Sequence, residues 1–378
     1  MNQPAKKKPA KFNFYPFWSP RFWHGMRWGD WMRFWASKHF RAHPLRLPMA
    51  ILITLITPVN SLWGWLQDWW LRRELRVLKI EKPPIFIIGH WRSGTTFLHE
   101  LMFLDDRYGS PNTYQCFAPH HFIFSERIIA KYGGFLLPKH RPMDNMLAGW
   151  DRPQEDEFAL LTMNAPTPYF RCAYPNDPPP YMETLDWEGV SPADEERFQQ
   201  ALVKFLKLLT MKYHKQILLK SPPHTGRVKM LSKMFPGAKF VHITRDPYSL
   251  FSSTMRLWRA LDDVQGFYFP RYSEEQHKEF VFECLERMYR GLEKQRAEIP
   301  AENIYDVKYE DLVKDPVGLV EKIYANLKLG DFESLRPKLE AFAAGQKDYK
   351  PNVHEFEPEL KAEIRRRWSG YFERYGYE

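Results

Sequence analysis

The stretch PPIFIIGHWRSGTTFLHELM, residues 83–102, decides how the rest of the chain is read. Ile85 to Ile88 is a short run of apolar β-formers. Gly89 ends it, and Ser93-Gly94-Thr95-Thr96 makes a second turn before an amphipathic helix begins. A strand that passes through such a turn into a helix presents backbone N–H groups at the helix N-terminus, where an anion is favoured. The nucleoside-triphosphate loop G-x-x-x-x-G-K-[ST] has a lysine after its second glycine. Thr95 stands in that place here.

Outward from this stretch the chain alternates between short apolar runs and helical periodicity. QILLK (216–220), AKFVHI (238–243) and NIYDV (303–307) read as strands, each followed by a helix, and NTYQCF (112–117) as a further strand. RPQEDEFALLTM (152–163) reads as a helix with acids in its first turn. Residues 198–213, 274–296 and DLVKDPVGLVEKIYANL (311–327) carry helical patterns. Strands alternating with helices predict an α/β fold, a P-loop-type parallel sheet flanked by helices in three layers. Ligands then bind at the C-terminal ends of the strands.

Charge divides the chain differently. Of 55 Lys/Arg and 46 Asp/Glu, residues 1–46 hold ten basic residues and a single acid, Asp30. The remainder is balanced, so the whole +9 excess lies in an N-terminal arm, which argues against a nucleic-acid-binding protein. Nine of the 14 tryptophans fall within the first 70 residues, interleaved with arginine in RFWHGMRWGDWMRFW (21–35). Leu47 to Leu66 carries no charge. Interfacial tryptophan, basic residues and an apolar segment are the ingredients of membrane attachment. The segment is just long enough to span. Pro58, Asn60 and Gly64 interrupt it and both flanks are basic, which favours attachment at one surface. The expected division is a membrane-associating helical arm, 1–80, and a catalytic domain, 81–378. Three scattered cysteines (Cys116, Cys172, Cys284) and no N-x-[ST] sequon point to the cytosolic face.

A second anion-binding signal is FVHITRDPYSLFSS, from Phe240. Arg245 ends a strand, Pro247 suits the first turn of a helix, and Ser253 follows two turns in. Both side chains are placed to grip one phosphate group.

Together, GHWRSGTTF and FVHITRDPYSLFSSTM resemble the sulfotransferase family, which uses 3′-phosphoadenosine 5′-phosphosulfate (PAPS) as donor. KYEDLVKDP (308–316) is similar to a further family signature, and LLKSPPHTGRVKMLSKMFPGAKF (218–240) to the bacterial and carbohydrate-type branch. The resemblance implies that Arg92, Ser93, Gly94, Thr95 and Thr96 hold the 5′-phosphosulfate and that Arg245 and Ser253 hold the 3′-phosphate. It implies transfer to a hydroxyl acceptor with no metal, helped by the cations Arg92 and Lys220. Soluble members often carry lysine at the position of Arg92, and a histidine two residues after the strand lysine. Here that second place is Pro222, with His224 two further on. His224, Glu155 and Glu157 are therefore candidate bases, and His120 and His121 follow them. Helix geometry sends Glu155 and Glu157 in different directions. The acceptor is open between a lipid, a sterol and a glycan, with the aromatic, proline-rich residues 165–182 expected at its mouth. A P-loop nucleotide kinase and an inactive scaffold of the same fold are the alternatives.

Overall fold

The computed structural model describes residues 15–137, 149–345 and 357–378. Lys6, Lys7, Lys8 and Lys11 of the basic arm lie outside the described residues. Helices α1 (Trp28–Ser37), α2 (Leu47–Trp70) and α3 (Arg72–Val77) form the arm. Pro58 does not break α2. A proline deprives the carbonyl four residues earlier of its donor, and the Thr57 hydroxyl donates to that Thr54 carbonyl at 3.4 Å. Gly64 also lies inside the helix, where an added Cβ would come 2.9 Å from the Arg27 guanidinium.

The arm's aromatic residues divide by environment. Trp23 and Trp31 are fully buried, in the same core as Phe86 and Leu219 of the sheet. The Trp23 indole stacks on Phe34 and donates to the Gln265 carbonyl at 2.8 Å. Trp63, Trp65, Trp69 and Trp70 are exposed. On α2 the buried stripe is Met49, Ala50, Ile53, Thr57, Asn60, Gly64 and Gln67. This three- and four-residue spacing defines one helix face. Asn60 and Gln67 tie this face to the rest of the chain, Asn60 also facing the His121 ring of the body at 3.2 Å. Asn60 donates to the His24 carbonyl. Gln67 donates to the His120 carbonyl at 2.9 Å and accepts from the Ile123 amide at 3.0 Å.

The body begins with β1 (Ile85–Ile88) and α4 (Thr95–Met102), then β2 (Tyr108–Gly109), α5 (Thr113–Phe117), α6 (Phe122–Tyr132), α7 (Asp156–Thr162) and α8 (Pro192–Tyr213). It continues through β3 (Gln216–Lys220), α9 (Val228–Met234), β4 (Lys239–Thr244), α10 (Pro247–Gln265), α11 (Glu274–Arg296) and β5 (Ile304–Lys308). Helices α12 (Tyr309–Lys314), α13 (Pro316–Leu327), α14 (Arg336–Ala344), α15 (Pro358–Arg367) and α16 (Ser369–Tyr375) close the chain. The strands pair in parallel in the order β2-β3-β1-β4-β5, with Phe86 between Leu219 and Phe240. All four residues of β1 are buried, as a strand covered on both faces requires. Phe86 and Ile88 join one apolar layer, Ile85 and Ile87 the other.

Two local expectations are corrected. NTYQCF is helical from Thr113, not a strand. The Asn112 side chain accepts from the Gln115 amide while the Gln115 side chain accepts from the Asn112 amide, a reciprocal cap that starts a helix. The 311–327 helix is two helices, because Asp315 leaves helical geometry and caps α13 at Pro316. The switch in connection direction beside β1 opens a crevice at the C-terminal ends of β1, β3 and β4.

Candidate active site

The turn after β1 is shaped by three left-handed residues: Gly89, Arg92 and Gly94, with φ of 143°, 69° and 102°. For arginine this conformation costs about 1 kcal/mol or more, and neighbours hold it there. Arg245 donates to the Arg92 carbonyl at 3.0 Å, and the Arg92 guanidinium donates to the Ser253 hydroxyl at 2.9 Å. Thr225 accepts from the Gly89 amide at 2.8 Å, and Thr254 donates to the Trp91 carbonyl at 3.2 Å. Gly94 is required for space as well as torsion, since a Cβ there would sit 2.3 Å from the Tyr309 ring. Arg245 lies over the same ring, its guanidinium 4.4 Å from the Tyr309 centroid. The KYEDLVKDP stretch thus meets the loop through Tyr309.

The first-turn amides of α4 have no acceptor within their own helix. Beside them the Ser93 hydroxyl is buried without a hydrogen-bond partner among the described residues. Arg256, one turn beyond Ser253, was not anticipated. Burial, then the nearby Arg92 and Arg245 charges, push its guanidinium below its ordinary pKa. Three guanidinium groups therefore share this region.

Lys220 ends β3 and is almost wholly buried. Its ammonium donates to Glu155 Oε1 at 2.8 Å and lies 3.4 Å from the Thr96 hydroxyl. The other oxygen of Glu155 accepts from Tyr169 at 2.7 Å, and the Trp91 indole donates to Tyr169 at 2.6 Å. Burial, then the Glu155 charge, raise the Tyr169 phenol well above its ordinary pKa, so it remains a donor. His99 on α4 is also close: burial, with Lys220 adding, pushes its imidazole down to about 3.

The remaining candidate bases point elsewhere. Glu157 makes two 2.9 Å bonds to Arg227, with both side chains closed to solvent. His224 is fully buried and bonds Asp156 at 2.7 Å. Burial would raise the Asp156 carboxyl, but His224 and the Ser221 hydroxyl hold it below its usual value. His120 and His121 back onto the arm, His121 facing Asn60 at 3.2 Å. Of the three acids at 155–157, Glu155 alone meets Lys220. Residues 165–182 contribute Tyr169 to this centre. On their outer side they line a cavity of about 300 Å³ with Phe34 and Lys38 of the arm.

Residues 83–333 match the family model described as the sulfotransferase family. The chain belongs to that family. This sulfotransferase is 38% identical over 374 residues to the omega-hydroxy-beta-dihydromenaquinone-9 sulfotransferase Stf3 of Mycobacterium bovis, covering 99% of this chain and 96% of that protein. The protein of the same name from Mycobacterium tuberculosis matches equally. In fold, the sulfotransferase is similar to the crystal structure of STF9 from Mycobacterium avium (TM-score 0.65, 16% identity, covering 97% of this chain and 94% of that one). It is also similar to STF1 from Mycobacterium tuberculosis (TM-score 0.59, 17% identity, 90% and 91%).

Proposed function

We propose that this sulfotransferase moves the sulfuryl group of PAPS to the hydroxyl of a lipid acceptor, at a membrane reached from the cytosolic side. The contact between Lys220 and Glu155 at the head of α4 carries the reading. The loop from Arg92 to Thr96 takes the 5′-phosphosulfate, and the unpartnered Ser93 hydroxyl supplies a donor for it. Arg245 and Ser253, linked to the loop through Arg92, take the 3′-phosphate.

The acceptor oxygen attacks sulfur as the bond from sulfur to the bridging phosphate oxygen breaks. Glu155 takes the hydroxyl proton. The adenosine bisphosphate leaves with the charge that develops on its oxygen, and Lys220 and Arg92 stabilise that charge where water is excluded. Tyr169 holds one Glu155 oxygen so that the other meets Lys220.

The lipid acceptor is supported by the relative named for a hydroxylated menaquinone derivative. Membrane attachment through residues 1–80 is supported by α2, which is long and apolar enough to cross a membrane and buries 33% of its most apolar window. The reading is tested by incubating the protein with PAPS and hydroxylated isoprenoid lipids and measuring sulfated product. The adenosine bisphosphate should raise the melting temperature without Mg²⁺. Donor that is neither bound nor consumed with any hydroxyl acceptor would refute it.

A further inference from the structure

Helix α2 is built inside out. Its polar residues Thr57, Asn60 and Gln67 face the protein, and Asn60 and Gln67 bond to it, while Ile51, Leu55, Val59, Leu62, Trp65 and Trp69 face outward, each at least half exposed. A helix of a water-soluble protein turns its polar face to solvent. A helix lying in the headgroup region does the reverse on its outer side. The hydrogen bonds from Asn60 and Gln67 to the body fix which face is outward, so α2 lies flat against the protein along its length.

A second element shares this surface. Helix α6, outside the arm, meets α2 where the Trp70 and Phe124 rings lie 6.4 Å apart and where Gln67 accepts from Ile123. Beyond that contact Ile128, Tyr132 and Phe135 are 57%, 66% and 77% exposed. Basic side chains flank both elements: Arg72, Arg73 and Arg76 follow α2, and Arg127 and Lys131 sit on α6, all exposed. A symmetric pairing of two copies through this face would bring these cations against their own kind. An anionic lipid surface would neutralise them.

We propose that α2 and α6 form one two-element seat that enters a single leaflet of an anionic membrane in the plane of the surface. The segment Phe122–Phe135 is then a membrane-binding element in its own right. The inference rests on the membrane reading above and adds a second element and an orientation to it.

The seat is tested with the full-length protein and vesicles of phosphatidylcholine and phosphatidylglycerol. Ile128→Asp on α6 and Phe135→Asp just beyond it, and Leu55→Asp and Trp69→Asp on α2, change exposed side chains and should leave the melting temperature unchanged. Each should lower the vesicle partition coefficient at least about tenfold, and brominated lipid should quench the tryptophan emission of the bound protein. If only the α2 variants lose binding, the two-element seat is overturned while the membrane reading stands. Wild-type protein that ignores the vesicles and self-associates through this face overturns both. Each readout is binding, so the result is independent of whether the sulfuryl-transfer reading holds.

Discussion

The ammonium of Lys220 and the carboxylate of Glu155 sit 2.8 Å apart at the head of α4, the lysine side chain 2% and the glutamate 11% exposed. Each constrains the other, so the two should fail in different ways. Lys220→Ala should lower kcat on the order of a hundredfold or more, as for other contacts that act on transition-state charge. Glu155→Gln keeps a hydrogen-bonding partner for the lysine but cannot accept the acceptor's proton. It should abolish most turnover while leaving the melting temperature close to wild type. Near-normal turnover in Glu155→Gln would place the base elsewhere.

Glu157 and His224 should behave as structural groups. Glu157→Ala strands the buried Arg227 charge and should cost about 3–5 kcal/mol of stability. His224→Ala strands the Asp156 carboxylate and should cost at least about 2 kcal/mol. Urea unfolding midpoints read both effects. At a temperature where the variants remain folded, kcat should stay within a few-fold of wild type. A specific collapse of kcat without loss of stability would restore either residue to the chemistry.

The 3′-phosphate end offers a separable test. Arg245→Ala and Ser253→Ala should weaken binding of the 3′-phosphorylated nucleotide and hardly affect its 3′-dephospho analogue. The Tyr371 hydroxyl accepts from the Arg245 amide at 3.0 Å and faces its carbonyl at 3.2 Å, so α16 braces the same strand end. Tyr371→Phe should raise the KM for donor several-fold with kcat little changed. Titration calorimetry with the two nucleotides checks the first pair, and steady-state kinetics checks Tyr371. Equal losses for both nucleotides would move the 3′-phosphate site away from Arg245.

Removal of the arm should destabilise the protein. Trp23 and Trp31 have no exposed surface, and Trp23→Ala alone should cost about 3–5 kcal/mol. Deletion of residues 1–80 should therefore yield aggregated or unfolded chain, read by circular dichroism and gel filtration. A monomeric truncated protein with cooperative unfolding would show that the body holds without its cover.

Stability should fall in mild acid. Burial pushes His24, His90 and His99 down to about 3 and His121 to about 4, whereas in the unfolded chain each titrates near its ordinary value, about 6.5. Between those values the unfolded chain binds protons that the fold refuses. Stability is therefore full above about pH 6.5 and is lost as the pH drops, by about 1.4 kcal/mol per such histidine at pH 5.5. Melting temperatures at pH 7.5 and 5.5 test this, and an unchanged value would mean that these imidazoles are not closed to protons.

The positions of the turn after β1, of Lys220 and of Arg245 were legible in the sequence because each sits at the end of a contiguous apolar strand. Local pattern also holds the cap of α5, since Asn112 and Gln115 have capping-box spacing. The β-favouring Tyr114, Cys116 and Phe117 obscured it. Which of Glu155 and Glu157 reaches Lys220 was not legible. Glu155 proves to be the extended residue before α7 and Glu157 lies within it, and their spacing does not say which of the two faces the strand ends. Tyr169 and Tyr371 had no local signal at all, because they meet Glu155 and Arg245 only through tertiary packing. Arg256 stands one helical turn beyond Ser253, a spacing that identifies a shared face. In α2 the uncharged run marked an apolar helix, while the three- and four-residue spacing of Thr57, Asn60, Gly64 and Gln67 carried its inward face.

The bond from Trp23 to the Gln265 carbonyl joins residues 242 apart in the chain. A ribosome makes the arm well before this part of its docking site. At typical elongation rates the tryptophans wait on the order of tens of seconds for the residues that cover them. Throughout that interval the nascent chain presents a sticky arm, so its yield in cells should depend on a chaperone or lipid surface that shelters the arm until α10 has emerged.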